Sequence, residues 1–215
     1  MKKFLETKKF VLMADIVGSR DVDQRLLMKD FKEVLSYVNK SNKKDFLSPM
    51  AITLGDEFQS VARDLPAALN IILKIEETIV IKEKEFRLRY VLVEGKIETR
   101  LNRKIAYGML GSGLTLAREQ LTTLKGTKGR FYFRLRDKKK TDALNRAFFV
   151  LQGFIDKWRI KMDYYIVAEF FKTKDYKQVA EDLDKEPSLI WKRKKSLNLE
   201  EYFALKEVIK YLGGS

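Results

Sequence analysis

The sequence predicts an α+β protein with two parts: a ferredoxin-like βαββαβ sandwich and a small all-helical part of helix-turn-helix type. Two observations lead to this fold class. Up to a basic run at Arg136–Lys140, segments with strand and helix patterns follow the order β-α-β-β-α-β and then α-β. Beyond that run, every segment has helical periodicity. We therefore expect residues 1–140 to form the α/β domain and residues 141–215 to form the helical domain.

Five segments have the composition of strands. Phe10–Val17 is apolar on both faces and is bounded by Gly18, which is typical of a buried central strand. Two short segments flank Gly55 and Asp56, so they predict a hairpin. The last two alternate apolar with basic or polar side chains. The predicted strands are residues 10–17, 50–54, 57–62, 86–93 and 129–136.

Eight further segments have apolar side chains at helical spacing. The first carries Leu27, Phe31 and Val34 along one face. The second begins at Pro66, a residue favoured in the first turn of a helix. Residues 95–113 form a loop with four glycines. This loop follows the second helix and the fourth strand and precedes the third helix. The predicted helices are residues 24–39, 66–79, 114–124, 141–157, 164–171, 176–183, 188–196 and 199–212.

The composition excludes several classes of site, because the chain contains neither Cys nor His. Disulfides, cysteine nucleophiles, Ser-His catalysis and zinc sites built on these residues are ruled out. A metal ion must therefore be held by oxygen ligands, which points to Mg²⁺, Mn²⁺ or Ca²⁺. The lack of Cys suits the cytoplasm, and no segment reaches the roughly 18–20 apolar residues of a membrane span. We expect a cytoplasmic protein with no membrane contact.

The net charge of +14 favours polyanionic partners. Residues 1–140 hold 30 basic and 18 acidic residues, which gives +12, whereas residues 141–215 hold 14 and 12, which gives +2. Generic surface lysine explains this excess as well as a nucleic-acid-binding face does. Both interpretations stay open at this point.

Two aspartates stand out in the α/β part. Asp15 lies in an apolar strand, where an unpaired carboxylate costs several kcal/mol unless a positive group meets it. Asp56 lies at the tip of the predicted hairpin, which can neighbour the end of the first strand. Two such carboxylates, a backbone carbonyl and a phosphate would form an oxygen cage for Mg²⁺. Alternatively, Asp15 pairs with an arginine such as Arg89 or Arg118, and Asp56 serves only the turn.

The segment Val17-Gly18-Ser19-Arg20 joins the first strand to the first helix. Gly18 allows close approach of a ligand to the backbone, and the start of the helix offers free N–H groups to phosphate. Arg20 is either a phosphate ligand or a solvated residue at the helix entrance. Glu57 is either a third acidic ligand or a side chain that points off the hairpin to solvent.

The helical part has the spacing of a helix-turn-helix between residues 176 and 195. Ala180 is small where two helices would cross, the turn falls at Asp184, and Ile190 packs six residues later. The second helix has a possible N-cap and a dense group of cations for phosphate contact, so the expected DNA-binding residues are Ser188, Lys192, Arg193, Lys194 and Lys195. The alternative is a dimerisation or partner-binding unit.

Several motifs closely resemble the SatD family. They are Ala-Asp-Ile-Val-Gly-Ser-Arg at residues 14–20, Thr-Leu-Gly-Asp-Glu-Phe-Gln at 53–59, Ala-Tyr-Gly-Met-Leu-Gly at 106–111 and Ala-Arg-Glu at 117–119. The helical C-terminal part is similar as well, so the resemblance covers most of the chain. No established reaction comes with this family.

The first two motifs also resemble class III nucleotide cyclases, and Leu-Gly-Asp-Glu-Phe resembles the diguanylate cyclase signature short of one glycine. This resemblance implies a nucleotide cyclase-like fold in which Asp15 and Asp56 bind divalent ions. The Ile16 carbonyl would be a further ligand, and the backbone of Val17–Ser19 would hold a triphosphate. It also makes a homodimer worth testing, since class III cyclase sites span two chains.

The sequence departs from the cyclases where they act on the transition state. Ile52 stands where the cyclases have a purine-selecting lysine, Thr115 replaces the transition-state asparagine, and Glu119 takes the arginine position. Arg118 is one residue away, and a one-residue offset turns a helical side chain by about 100°. The metal-binding half of the motif set is retained and the transition-state half is not, so we expect no cyclase activity.

The combined interpretation is a regulatory protein. Its first domain would bind a nucleotide with Mg²⁺ or Mn²⁺, and its second would bind DNA. The alternatives are a phosphoryl-transfer enzyme acting at the same aspartates, and a partner-binding protein with a relict site.

Overall fold

The computed structural model describes residues 8–19 and 23–214 and contains the predicted elements in the predicted order. The strands are β1 (Lys9–Ile16), β2 (Phe46–Ile52), β3 (Glu57–Ala62), β4 (Leu88–Gly95) and β5 (Phe131–Arg134). The α-helices of the described residues are α1 (Gln24–Ser41), α2 (Leu65–Ile81), α3 (Ser112–Lys125), α4 (Lys138–Ile155), α5 (Ile160–Lys172), α6 (Tyr176–Asp182), α7 (Pro187–Ser196) and α8 (Leu199–Gly213). A short 3-10 helix, Lys43–Asp45, precedes β2.

The five strands form one sheet in the order β2-β3-β1-β4-β5. The pairs β2–β3, β3–β1 and β1–β4 are antiparallel, and β5 runs parallel to β4. The end of β1 therefore lies beside the starts of β3 and β4, at one end of the sheet. The prediction of a mixed α+β fold is confirmed, and the strand order is that of a βαββαβ sandwich with one added helix and strand.

The two faces of the sheet carry separate hydrophobic clusters, because side chains alternate along β1. Leu12, Ala14 and Ile16 belong to the large cluster formed with α1, α2 and the C-terminal helices. Val11 and Met13 belong to a smaller cluster formed with α3 and the 96–111 loop. Asp15 follows the same alternation and so lies on the α3 face.

The C-terminal helices extend the large cluster. Leu144 and Phe148 of α4, Val167 and Phe170 of α5, and Ile209 of α8 are buried in it together with α2 residues. The Trp158 indole N–H donates to the carbonyl of Leu197 at 2.9 Å. The two parts of the chain thus share one buried core, while the domain boundary at residue 140 stays a prediction. None of the helices in the described residues is long and apolar enough to cross a membrane.

Several element boundaries differ from the sequence prediction, and those of β2 and α4 have clear local reasons. β2 begins at Phe46, four residues earlier than predicted. The prediction missed this start because Ser48 and Pro49 interrupt the apolar pattern of the strand. β2 is an edge strand with register shifts, where proline is tolerated. α4 begins at Lys138, because the Asp137 carboxylate accepts the backbone N–H of Lys140 at 3.0 Å and caps the helix. The basic run is therefore largely helical.

Two helical glycines give a matched test of how α3 is positioned. A Cβ on Gly113 would lie 2.7 Å from the carbonyl carbon of Gly95 and 2.9 Å from the Lys96 nitrogen, so α3 touches the backbone at the end of β4. A Cβ on Gly153 of α4 would meet nothing within 4 Å. We expect Gly113→Ala to lower the free energy of unfolding by about 2 kcal/mol through overpacking.

Gly153→Ala should instead raise the free energy of unfolding by about 0.5–1 kcal/mol, because alanine has the higher helix propensity. Urea denaturation of both variants checks the pair. Equal effects of the two substitutions would contradict the close approach of α3 to β4.

Candidate functional site

Asp15 lies one residue before the end of β1 and is 2% exposed. Across the neighbouring strands it is in register with Glu57 of β3 and Arg89 of β4. Because residues in register share a face of the sheet, these three side chains form a row beneath α3. The row has charges in the order negative, negative and positive.

Two cations from α3 complete this group. Lys125 Nζ lies 3.3 Å from Asp15 Oδ2 and 2.9 Å from Glu57 Oε1. Arg89 Nη1 approaches Asp15 Oδ2 at 3.3 Å, and Arg118 Nη1 lies 3.7 Å from Glu57 Oε2. We call these five residues the strand-end charge cluster. Lys125 and Arg118 are nearly half exposed, so the cluster opens to solvent on the α3 side.

Asp15 is poorly satisfied within this cluster. Burial raises the pKa of its carboxyl, and the charges of Lys125 and Arg89 offset only part of that rise, so the net pKa is above the ordinary value. Both cations meet Oδ2. Among the described residues, the buried Oδ1 atom has no hydrogen-bond partner. A buried oxygen in this state commonly marks strain, a functional role or an absent ligand.

Asp56 lies beside Asp15 in the backbone but differs in its side-chain partner. The Ile16 N–H donates to the Asp56 carbonyl at 3.0 Å, which fixes the turn before β3 against the end of β1. The Asp56 carboxylate accepts the Ser19 hydroxyl at 2.6 Å. Across the described residues, no three acidic side chains are grouped so that they could hold a metal ion by themselves.

The predicted phosphate-binding segment is partly occupied by the chain itself. The Val17 N–H donates to the Arg87 carbonyl at 2.9 Å, so this amide is already used. Gly18 has a φ of 67°, a left-handed conformation that suits glycine. Arg20 lies outside the described residues. Two of the N–H groups expected to be free at the start of α1 are already used, because the Asp23 carboxylate accepts the N–H groups of Arg25 and Leu26 at 2.9 and 3.2 Å.

Of the two alternatives for Glu57, the structure disfavours a side chain that points to solvent, because Glu57 is only 14% exposed and lies beside Asp15 under α3. Sequence reasoning did not single out Lys125. The sequence feature that could have identified Lys125 as part of the site is its spacing from Arg118. Seven residues are close to two helical turns, so both cations lie on one face of α3.

The positions that should stabilise a cyclase transition state lie elsewhere. Thr115 and Glu119 line an open surface groove at the start of α3, with a volume of about 460 Å³, together with Glu98 and Leu110. Arg118 occupies the neighbouring face of the helix and faces Glu57 instead. The arginine offset noted in the sequence therefore separates Glu119 from the strand-end charge cluster.

The helix predicted to bind DNA has most of its cations paired within the chain. α6 and α7 are joined by residues 183–186, with Asp184 at a φ of 50°, and Ala180 and Ile190 are buried as expected. Ser188 is not the N-cap, because α7 begins earlier at Pro187. An arrangement of this kind is common in small helical units, so the helix-turn-helix assignment stays a prediction.

Three of the four cations of α7 meet carboxylates of this chain. Arg193 is paired with the buried Asp163, and both Lys194 and Lys195 contact Glu200, with Lys194 Nζ at 3.2 Å. Lys192 is exposed and has no such partner in the described residues. This pairing leaves α7 with far less free positive charge than its sequence suggests.

Comparisons with known proteins agree with the motifs. No curated protein matches the sequence. Among solved structures, a bacterial light-regulated adenylyl cyclase matches with a TM-score of 0.45 and 13% identity, over 59% of this chain and 75% of that one. That likeness is too weak to carry function. The SatD family model matches residues 10–212, which is nearly the whole chain, and this protein therefore belongs to the SatD family.

Proposed function

We propose that this protein is a regulator whose α/β part binds a nucleotide together with Mg²⁺ or Mn²⁺ at Asp15 and Asp56. The observation that carries the proposal is the buried Asp15 carboxylate, with one oxygen unpartnered and the other held by exchangeable cations. A hard divalent ion satisfies such an oxygen better than a lysine does.

A phosphate ligand explains why two carboxylates suffice. Mg²⁺ is usually held by one or two protein carboxylates together with substrate phosphates and water, not by a full protein cage. Asp15 lies near the end of β1 and Asp56 immediately precedes β3, and the Ile16 N–H donates to the Asp56 carbonyl, so both residues lie at one end of the sheet. Lys125 and Arg118 are exposed enough to exchange a carboxylate for a phosphate oxygen.

Binding without turnover fits the residues better than catalysis does. Phosphoryl transfer needs positive groups placed around the transferred phosphate. Glu119 puts a negative charge where the cyclase-like motif requires a cation, and it lies in a separate groove. We therefore propose a ligand-responsive role, in which α2 transmits a structural change at the sheet to the helices packed on it.

Thermal-shift measurements with ATP or GTP, in Mg²⁺, Mn²⁺ or EDTA, test the proposal. A nucleotide present at one hundred times its Kd should add about 2.7 kcal/mol of stability, which raises Tm by several degrees in a chain of this size. Asp15→Asn should abolish the metal-dependent part of the shift, because an amide oxygen carries no charge for the ion.

Asp142→Asn is the matched control, since Asp142 is an exposed aspartate on α4. It should shift as the unmodified protein does. An equal shift in Asp15→Asn, or no shift with any pair of nucleotide and ion, would remove the basis for the proposal. Formation of a cyclic nucleotide under these conditions would select the enzyme alternative.

A further inference from the structure

Exposed cations collect at the end of the sheet opposite Asp15. The strand registers bring the start of β2, the end of β3 and the ends of β4 and β5 together there. The 3-10 helix is attached at this end, because the Arg63 N–H donates to the Asp45 carbonyl at 2.8 Å. The first turn of α4 is attached at the other side, because the Leu135 N–H donates to the Thr141 hydroxyl at 3.0 Å.

Six of the cations at this end are exposed and have no carboxylate partner among the described residues. We call them the basic end; they are Lys43, Lys44, Arg134, Lys138, Lys139 and Lys140. Three of the carboxylates nearby are already engaged. Asp64 pairs with Arg63, Glu94 pairs with Arg136, and Asp45 accepts hydrogen bonds from two asparagines.

Helix stability does not explain the three lysines on α4. They occupy its first turn, which contains no acidic residue. The helix macrodipole places partial positive charge at this terminus, so lysines there are unfavourable for folding. A charge arrangement that opposes the local stability rule commonly marks a functional surface. On α7, by contrast, the cations are matched with carboxylates.

We propose that the basic end binds the phosphate backbone of a nucleic-acid duplex. Its two groups of cations flank the sheet at the two edge strands, β2 and β5, which lie about 19 Å apart at the usual strand spacing. A duplex carries one phosphate for about every 1.7 Å of its axis and stays straight over this length, so one segment reaches both groups. A free nucleotide is too short to do so.

The surface chemistry distinguishes a duplex from other polyanions. Single strands are bound by stacking of their bases on exposed aromatic rings, and membrane surfaces by insertion of apolar side chains. Neither Lys43–Lys44 nor Arg134–Lys140 contains any of the exposed large apolar side chains of the described residues. Exposed cations alone suit a backbone that is read by charge and not by sequence.

Fluorescence anisotropy of the full chain with a labelled 20-base-pair DNA of arbitrary sequence tests this surface. The same sequence as duplex RNA, and phosphatidylserine vesicles, are the comparison arms. Lys138→Gln/Lys139→Gln/Lys140→Gln should weaken duplex binding by about 10- to 100-fold at 0.1 M salt, and should reduce the salt slope by about 2–3. Lys43→Gln/Lys44→Gln should also weaken it, by a smaller factor.

Lys192→Gln/Lys194→Gln/Lys195→Gln on α7 is the matched contrast, with three charges removed from the other basic segment. It should retain duplex affinity within about twofold. Thermal melting of the α4 variant should show unchanged or higher stability, so a loss of binding cannot come from unfolding. Binding to either duplex with this pattern supports the proposal.

Three results would overturn it: no duplex binding by the unmodified chain at 50 mM salt, an equal or larger loss in the α7 variant, or tighter binding to the vesicles than to either duplex. None of these measurements depends on nucleotide or metal, so this surface and the Asp15 site succeed or fail separately.

Discussion

Arg130→Met is expected to lower the free energy of unfolding by about 3 kcal/mol, because it removes a buried cation that pairs with two partly buried carboxylates. Arg130 immediately precedes β5 and is 5% exposed. Its Nη2 lies 2.9 Å from Glu76 Oε2 and 2.8 Å from Asp156 Oδ1, and its Nη1 donates to the Leu88 carbonyl at 2.6 Å. Glu76 also accepts the hydroxyl of the buried Tyr90 at 2.7 Å.

The position of this network explains the size of the expected effect. Glu76 belongs to α2, Asp156 follows α4, and Arg130 immediately precedes β5. One guanidinium thus joins the α/β part to the first C-terminal helix. The negative neighbours raise the pKa of Arg130 in spite of its burial, so the side chain stays charged throughout the usable pH range.

Urea denaturation followed by far-UV circular dichroism and by tryptophan fluorescence measures the loss. Both tryptophans, Trp158 and Trp191, lie in the helical part, and the buried Trp158 also belongs to the core shared with the α/β part, so fluorescence reports the helical part and that shared core. The control is Arg146→Met, an exposed arginine of α4, which should change stability by less than about 0.5 kcal/mol. A loss below about 1 kcal/mol in Arg130→Met would show that the network is not a structural link.

The double variant Arg130→Met/Glu76→Gln refines this prediction. Glu76→Gln neutralises one of the two carboxylates that Arg130 contacts. It should recover part of the stability, so the combined loss should be smaller than the sum of the single losses. Simple addition of the two losses would mean that the two side chains do not act on each other.

The elements of the fold could be predicted from sequence because their periodicity is strong. The apolar run of β1, the turn residues before β3 and Pro66 each signal one local structure. What failed was local as well: Pro49 obscured the start of an edge strand, and Asp137 extended α4 into a basic run that resembled a linker. Neither error changed the order of the strands.

The candidate site could be predicted only in part, because pairing across elements leaves little trace in a single sequence. The adjacency of Asp15 and Asp56 follows from the βαββ order. The contact of Lys125 with Asp15 depends on how α3 crosses the sheet, which the Gly95–Gly113 contact sets. In the same way, the run Lys192–Lys195 looks free until Asp163 and Glu200 are placed beside it.

Two buried aspartates with the same exposure are expected to respond in opposite ways to the same substitution. Asp15 and Asp163 are each 2% exposed. Burial alone would raise the pKa of both. For Asp163 the hydrogen bonds from the side chain and backbone N–H of Arg159 and the charge of Arg193 outweigh burial, and its pKa is lowered. For Asp15 burial outweighs its cations, and its pKa is raised.

Asp163→Asn should therefore lower the free energy of unfolding at pH 7 by about 2–3 kcal/mol, because two arginines lose their charged partner. A group with a lowered folded pKa contributes stability above its unfolded pKa, and loses it as pH falls through the folded pKa. The difference between Asp163→Asn and the unmodified chain should accordingly persist from pH 7 to pH 5 and shrink below the ordinary aspartate pKa of 3.8.

Asp15→Asn should not destabilise the chain at pH 7 and should raise its stability, because the amide mimics the neutral carboxyl that burial favours. A group with a raised folded pKa contributes stability below its unfolded pKa and loses it as pH rises, so the advantage of the variant should vanish below pH 3.8. Denaturation of both variants between pH 3 and pH 8 measures how the free energy of unfolding of each variant, relative to the unmodified chain, changes with pH. Natural sequences keep strained charges chiefly where function needs them. If Asp15→Asn instead destabilises the chain, Asp15 serves the stability of the fold and not the binding of a ligand.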